Sequence, residues 1–262
     1  MSFESYNSYT IFSHATRHRN RYIHDEKVMA FLDKVSETSK ERETTIKKGT
    51  PLWRAQIGET TTLREIIVSE DGDEASYEER CPYKSKRMKP RLKFATEGRA
   101  NPKGIPYLYL ATKKITAMCE IRPWVGSSIS IAQFQVNKNL RIIDCSVFSD
   151  KKFSHIKNKN LSADEKHKLA VWADIDNAFS EPISLSDQTS DYVPTQILAE
   201  LFKSKGFDGV AYKSSLATGF NVVLFDLDAA DLFSCQLEEV ESVEFKFKQA
   251  DTPSGIYCID TP

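Results

Sequence analysis

Arg54, Arg99, Tyr109, Glu120 and Ser214, with Asn101, Lys103 and Asn221 near them in the chain, form a set able to act on a phosphate-bearing glycosidic substrate. Arginines grip phosphates through bidentate, always-charged hydrogen bonds. An aromatic ring such as Tyr109 stacks on a substrate ring, worth about 0.5–1.5 kcal/mol beyond the area it buries. A carboxylate accepts from a sugar hydroxyl and stabilises a developing cation. Breaking the ribose–nicotinamide bond of NAD passes through an oxocarbenium-like centre, as glycoside hydrolysis does, and all three kinds of group are useful there. The set is consistent with that chemistry. Each member also has a plainer reading. Glu120 can pair with Arg122 or Lys113 on the surface, Arg54 can stack on Trp53, and Tyr109 in YLYL can be core. Ser214 and Ser215 can be turn residues, and Arg99-Ala-Asn101 can cap a turn.

Other chemistries lack their signatures. There is no G-x-G-x-x-G after a strand, no G-x-x-x-x-G-K-[ST], no H-E-x-x-H and no G-x-S-x-G. Five histidines and five cysteines show no metal-ligand spacing. A net charge of −1, from 36 basic and 37 acidic side chains, provides no global field for nucleic acid or an anionic membrane. Cys81, Cys119, Cys145, Cys235 and Cys258 are scattered and odd in number, which fits a reducing compartment. No apolar run is long enough to span a bilayer, and MSFESYNSYT lacks a signal peptide's apolar segment. A soluble, cytoplasmic protein is expected.

The element that must position the carboxylate is Gly98–Trp124, GRANPKGIPYLYLATKKITAMCEIRPW, read as loop, strand and helix. Gly98 to Gly104 is rich in turn formers. Ile105 to Ala111 is an apolar run of strand length. Thr112 is expected to N-cap a helix with Ile115, Met118 and Cys119 on one face. Glu120 then falls near its C-terminus, before Pro123. A carboxylate there faces the negative end of the helix dipole, which requires compensation.

This stretch resembles the centre of a RES domain, a family named for an Arg, a Glu and a Ser in its site. The block YVPTQILAELFKSKGFDGVAYKSSLATGFNVVLFD, Tyr192 to Asp226, and LWRAQ around Arg54 extend the likeness over roughly Gly49 to Asp228. The resemblance implies an α+β fold with an ADP-ribosyltransferase-like mixed sheet and a toxin that consumes NAD. It assigns Arg54, Glu120 and Ser214 to catalysis, and Arg99, Tyr109, Asn101, Ser215 and Asn221 to substrate binding. Ser214 and Ser215 are adjacent, and either can be the family Ser. NAD is then substrate rather than prosthetic group, no metal is required, and inorganic phosphate or water is the acceptor. A protein acceptor, as in ADP-ribosyltransferases, and a non-catalytic interaction module are the alternatives. An antitoxin would be a separate protein.

Along the rest of the chain, residues 1–48 are expected to be a helical extension and 49–262 the RES domain, with additions near 59–90 and 150–182. HATRHRNRYIH, His14 to His24, reads as a solvated helix face or a stretch packed on the body, in preference to a nucleic-acid arm. Asp25 starts a helix with the stripe Val28, Phe31, Leu32 and Val35. Glu37 to Gly49 reads as that helix's fraying end and a connection. Residues 59–90 carry an acidic block followed by a basic one, Arg80 to Arg91, and read as a long loop or lid. Ser128–Val136 and Leu140–Asp144 read as two strands joined by the Asn137-Lys138-Asn139 turn. Ser162 and Glu165 fit a capping box for a helix with Leu169, Trp172 and Ile175 inward and Pro182 beyond its end. Pro194 opens a helix that Gly206 ends. Gly209 to Tyr212 and Asn221 to Phe225 are strands around the Ser214-Ser215 loop, and Val243, Phe245 and Phe247 suggest a last strand.

Overall fold

The basic N-terminal stretch begins as a helix, Ser8–His18 (α1), in a computed structural model that describes residues 3–67, 74–147, 160–181 and 189–247. Tyr9 and Phe12 of α1 are buried ahead of the basic stretch; within His14–His24, Thr16 is buried and Arg17 pairs with Asp191, while His18 to Ile23 are exposed. Asp25 caps the next helix, Glu26–Thr38 (α2), by accepting from the Val28 N–H at 2.9 Å. Val28, Phe31, Leu32 and Val35 are all buried, each contributing roughly 1.5–3 kcal/mol. Phe12 stacks on Phe31 with ring centroids 4.5 Å apart. The connection expected after α2 contains a strand, Glu43–Ile46 (β1). Its Thr44-Thr45-Ile46 run is β-branched, and an edge strand needs a partner on one side only.

Pro51–Ile57 (β2) enters the core as expected. Thr60–Ile67 (β3) and Glu74–Cys81 (β4) then pair antiparallel as a separate ribbon, followed by a single helical turn, Ser85–Met88 (α3). The long loop expected over 59–90 is therefore mostly strand among its described residues. Its first half, TTTLREII, is β-branched at most positions, a stronger signal than the charge pattern that follows. Nor do the two charge blocks pair with each other among the described residues. Arg64 pairs with Glu79 at 2.6 Å, and Arg80 with Glu59 and Glu239. Residues 68–73, which carry part of the acidic block, lie outside the described residues.

The remaining elements are Leu108–Ala111 (β5), Lys114–Glu120 (α4), Ser128–Val136 (β6), Leu140–Asp144 (β7), Ala163–Ser180 (α5), Val193–Ser204 (α6), Gly209–Lys213 (β8), Phe220–Leu224 (β9) and Ala230–Glu239 (β10). Eight strands form one sheet in the order β1-β7-β8-β9-β5-β2-β6-β10. Among the described strands only β7 and β8 pair in parallel, and α5 and α6 lie in the crossover such a pair demands. The fold is α+β with a large mixed sheet, as expected. β6 and β7 both exist but are not neighbours: β6 lies between β2 and β10, and β7 between β1 and β8. Alternation identifies which face of a strand is buried; it says nothing about the neighbouring strand.

Both faces of the sheet are apolar. Ile143, Val210 and Val223 join the cluster under α1, α2, α5 and α6, while Ile142, Ala211, Val222 and Leu224 join a second cluster with Leu52, Phe134 and Met88. α5 has the expected capping box, Ser162 with Glu165. It buries Trp172 and Ile175, together with Val171 and Phe179, whereas Leu169 is only half-buried. The Trp172 indole N–H donates to Thr38 Oγ1 at 3.0 Å. Pro182 lies outside the described residues. Gly206 ends α6 at a φ of 82°. Val243, Phe245 and Phe247 form no strand; the last described strand is β10, which sequence periodicity missed. A bulge between Leu232 and Ser234 breaks its alternation and leaves Phe233 exposed. No helix among the described residues is long and apolar enough to cross a membrane.

Candidate active site

Glu120 is placed by β5 and the short helix after it. Thr112 does not cap α4. Its Oγ1 accepts from the Phe220 N–H at 3.0 Å, tying β5 to β9, and α4 begins one residue later after Lys113 with no side-chain cap. The buried face also differs from the one expected. Thr116 and Ala117 are buried and Ile115 is exposed, because Thr116 donates to the Thr218 carbonyl at 2.8 Å and draws that face onto the β8–β9 loop. Glu120 is the last residue of α4, and Arg122 then takes a left-handed φ of 46° ahead of Pro123.

The compensation for a carboxylate at a helix C-terminus comes from two other elements. Ser214, at the end of β8, donates to Glu120 Oε1 at 2.7 Å, and Asn221 of β9 donates through Nδ2 to the same oxygen at 2.6 Å. Ser214 Oγ itself accepts from the Leu216 and Ala217 N–H groups, each at 3.2 Å. With both lone pairs used, its proton points at the carboxylate. Ser215 Oγ instead donates to the Ser180 carbonyl at 2.8 Å, on the exterior. The geometry separates the two serines: Ser214 supports Glu120, and Ser215 ties the loop to α5.

Glu120 faces a cleft of about 640 Å³ that is also lined by Arg54, Arg99, Asn101, Tyr109 and Asn221. Ser214 lies behind Glu120, and neither Ser215 nor Lys103 lines the cleft. Arg54, in the middle of β2, donates to the Tyr109 carbonyl at 2.9 Å, and its buried Nε has no partner among the described residues. Burial lowers its pKa to about 10, which leaves it protonated at neutral pH. It makes no stacking contact with Trp53 and has no carboxylate partner among the described residues. Arg99 donates to the Phe179 carbonyl at 3.0 Å, in the last turn of α5 where the helix carries partial negative charge. It also contacts the hydroxyl of Tyr212, whose pKa burial pushes up to about 12.

Asn101 acts within the loop. Its Nδ2 donates to the carbonyls of Thr96, Pro102 and Ile105, and its Oδ1 accepts from the Tyr109 hydroxyl at 2.7 Å. The Tyr109 hydroxyl also accepts from the Ala100 N–H at 3.0 Å, so the ring, not the hydroxyl, is what Tyr109 offers a ligand. Burial raises that hydroxyl's pKa. A Cβ at Gly98 would lie 2.6 Å from the Tyr109 hydroxyl oxygen, so the close approach requires glycine. Gln196 of α6 locks the turn from behind, donating to the carbonyls of Gly98 at 2.9 Å and Asn101 at 3.0 Å.

The cleft also holds residues that sequence reasoning had not assigned to it: Tyr192, Tyr212, Arg87, Arg91 and Phe94. The basic block near residue 90 was the available signal for two of them. Among the described residues there is no group of three or more His, Cys, Asp or Glu that could hold a metal ion.

A family model described as the RES domain matches residues 79–248. Against the expected span of Gly49 to Asp228, it starts later and extends further. Arg99, Asn101, Tyr109, Glu120, Ser214, Ser215 and Asn221 fall inside it, and Arg54 precedes it. A solved structure, titled the crystal structure of the M. tuberculosis MbcT–MbcA toxin–antitoxin complex, is similar at 14% identity. That likeness covers 80% of this chain and 93% of that one, with a TM-score of 0.39. No curated protein matches. The family match takes in more than half of the chain, including both donors that hold Glu120, and the chain belongs to the RES domain family.

Proposed function

We propose that this chain is an NAD-cleaving enzyme of the RES type, transferring ADP-ribose to phosphate or water, and that it acts as a toxin restrained by a separate antitoxin. The observation that carries this reading is the state of Glu120. One carboxylate oxygen is held by Ser214 and Asn221, both neutral, and Oε2 has no partner among the described residues. The carboxylate is positioned, and no ion pair engages it among the described residues. In the same cleft Arg54 and Arg99 carry positive charge, and neither forms an ion pair among the described residues.

In the proposed reaction the two arginines bind the pyrophosphate and the Tyr109 ring packs on the nicotinamide. Glu120 Oε2 accepts from a hydroxyl of the nicotinamide ribose and stabilises the cation that develops at its anomeric carbon. The C–N bond breaks and nicotinamide leaves with the electron pair. An oxygen of phosphate or water then bonds to that carbon, water giving up a proton. The test is to incubate the full chain with NAD, with and without phosphate, and identify products by mass. Nicotinamide release with ADP-ribose 1″-phosphate or ADP-ribose is expected. Label from NAD left on a macromolecule would instead assign a protein acceptor. No nicotinamide release under any condition would reduce the chain to an interaction module.

A further inference from the structure

We infer that the rim of this cleft carries a second anion subsite, made by Arg87 and Arg91, for a phosphate monoester on the adenosine end of a dinucleotide. A 2′-phosphorylated dinucleotide is then preferred over NAD. The inference rests on the reading of the cleft as a dinucleotide site. Both guanidinium groups lie over aromatic rings, Arg87 at 3.8 Å from the Tyr83 ring centroid and Arg91 at 4.7 Å from that of Phe94. A seat of that kind occupies the face of the guanidinium and leaves its in-plane N–H donors for a bidentate acceptor. Neither side chain has a carboxylate or hydrogen-bond partner among the described residues.

Three other exposed arginines are paired, Arg64 with Glu79, Arg80 with Glu59 and Glu239, and Arg141 with Glu43, whereas Arg19 and Arg21, outside the cleft lining, have no ion pair among the described residues. Lys89, between the two rim arginines in sequence, reaches Asp228 at 3.3 Å and Asp231 at 3.9 Å. Arg87 and Arg91 are exposed at the mouth, whereas Arg54 and Arg99 are half-buried within the same cleft. The inner pair suits a pyrophosphate. The outer pair adds positive charge beyond what a dinucleotide with a pyrophosphate alone would use.

The support under the rim is fixed. Met88 is fully buried in the core beneath it. The Tyr83 N–H donates to Ser130 Oγ at 2.8 Å, and Gln56 donates to the Arg87 carbonyl at 3.1 Å. The backbone that carries Arg87 is therefore held before a ligand arrives, which reduces the ordering cost of binding one there.

Calorimetric titration of the full chain with adenosine 2′,5′-bisphosphate, adenosine 5′-monophosphate and inorganic phosphate tests the subsite without any turnover. The bisphosphate should bind about ten-fold or more tighter than the monophosphate. Arg87→Gln combined with Arg91→Gln should abolish that preference, with an unchanged circular dichroism spectrum. Equal affinity for the two nucleotides, or a preference that survives in the double variant, overturns the proposal. So does a double variant that loses only inorganic phosphate binding, which would make the rim a free-phosphate site. Nicotinamide release is scored separately. A bisphosphate preference without release would sink the proposed reaction and leave the subsite, and release without preference would do the reverse.

Discussion

The Ser214 hydroxyl donates to Glu120 Oε1 at 2.7 Å while accepting two loop N–H groups, so the β8–β9 loop and the end of α4 are joined through one side chain. Ser214 thereby acts on the carboxylate without lining the cleft. Asn221 completes the support from β9, and Glu120 Oε2 has no partner among the described residues.

Ser214→Ala should therefore lower kcat by roughly ten- to hundred-fold with KM little changed, because the carboxylate loses its orientation. It should also cost about 1–2 kcal/mol of stability, since the Leu216 and Ala217 N–H groups lose their acceptor. Ser215→Ala should stay within about 0.5 kcal/mol of the parent and keep its turnover. Steady-state kinetics and denaturant melts of both variants check this, and equal effects at the two serines would count against it.

Glu120→Gln keeps the shape and an oxygen for Ser214 and Asn221 while removing the charge. Turnover should fall by about a hundred-fold or more, the usual loss for a preorganised electrostatic group, with the melting temperature nearly unchanged. A folded variant with the parent's turnover would exclude Glu120 from the reaction.

Gly98→Ala should destabilise the loop by roughly 1–3 kcal/mol, because the new Cβ meets the Tyr109 hydroxyl and must displace it. Arg99 and Asn101 move with that loop, so NAD turnover should drop as well. Thermal melts paired with activity at a temperature where the variant remains folded separate the two effects.

Asp176 predicts a pH dependence. It is buried in α5 with Oδ1 unpartnered among the described residues, and desolvation raises its pKa from 3.8 to about 6. The charges that act on it are those of Asp144, which raises the pKa further, and of Arg42 and Lys213, which lower it. A carboxyl whose folded pKa is raised binds more protons when folded, so stability falls as pH rises from about 4 to about 6. Asp176→Asn removes that penalty and should stabilise the protein at pH 7 by on the order of 1–3 kcal/mol. Near pH 4 the variant and the parent should converge. Urea melts across that range check it, and a constant difference with pH would contradict it.

Local sequence was enough for the parts of this protein that depend on near neighbours. The α2 stripe, the capping box at Ser162, the Gly206 stop and the burial of β2 follow from side-chain period and backbone chemistry alone. The motifs around Arg54, Gly98–Trp124 and Tyr192–Asp226 identified side chains that the fold gathers at or behind one cleft. Contacts between distant segments were settled only in the tertiary structure. Ser214 and Ser215 are equivalent in the chain, and they differ because one meets Glu120 and the other α5. Thr112 suits an N-cap by composition, yet the Phe220 N–H takes its hydroxyl. β6 and β7 follow one another in sequence but sit in different parts of the sheet, since a period of two encodes faces and not partners. Arg87 and Arg91 read as half of a surface charge block. Met88, buried between them, anchors the segment so that both line the cleft, and a packing contact of that range is not written in any local pattern.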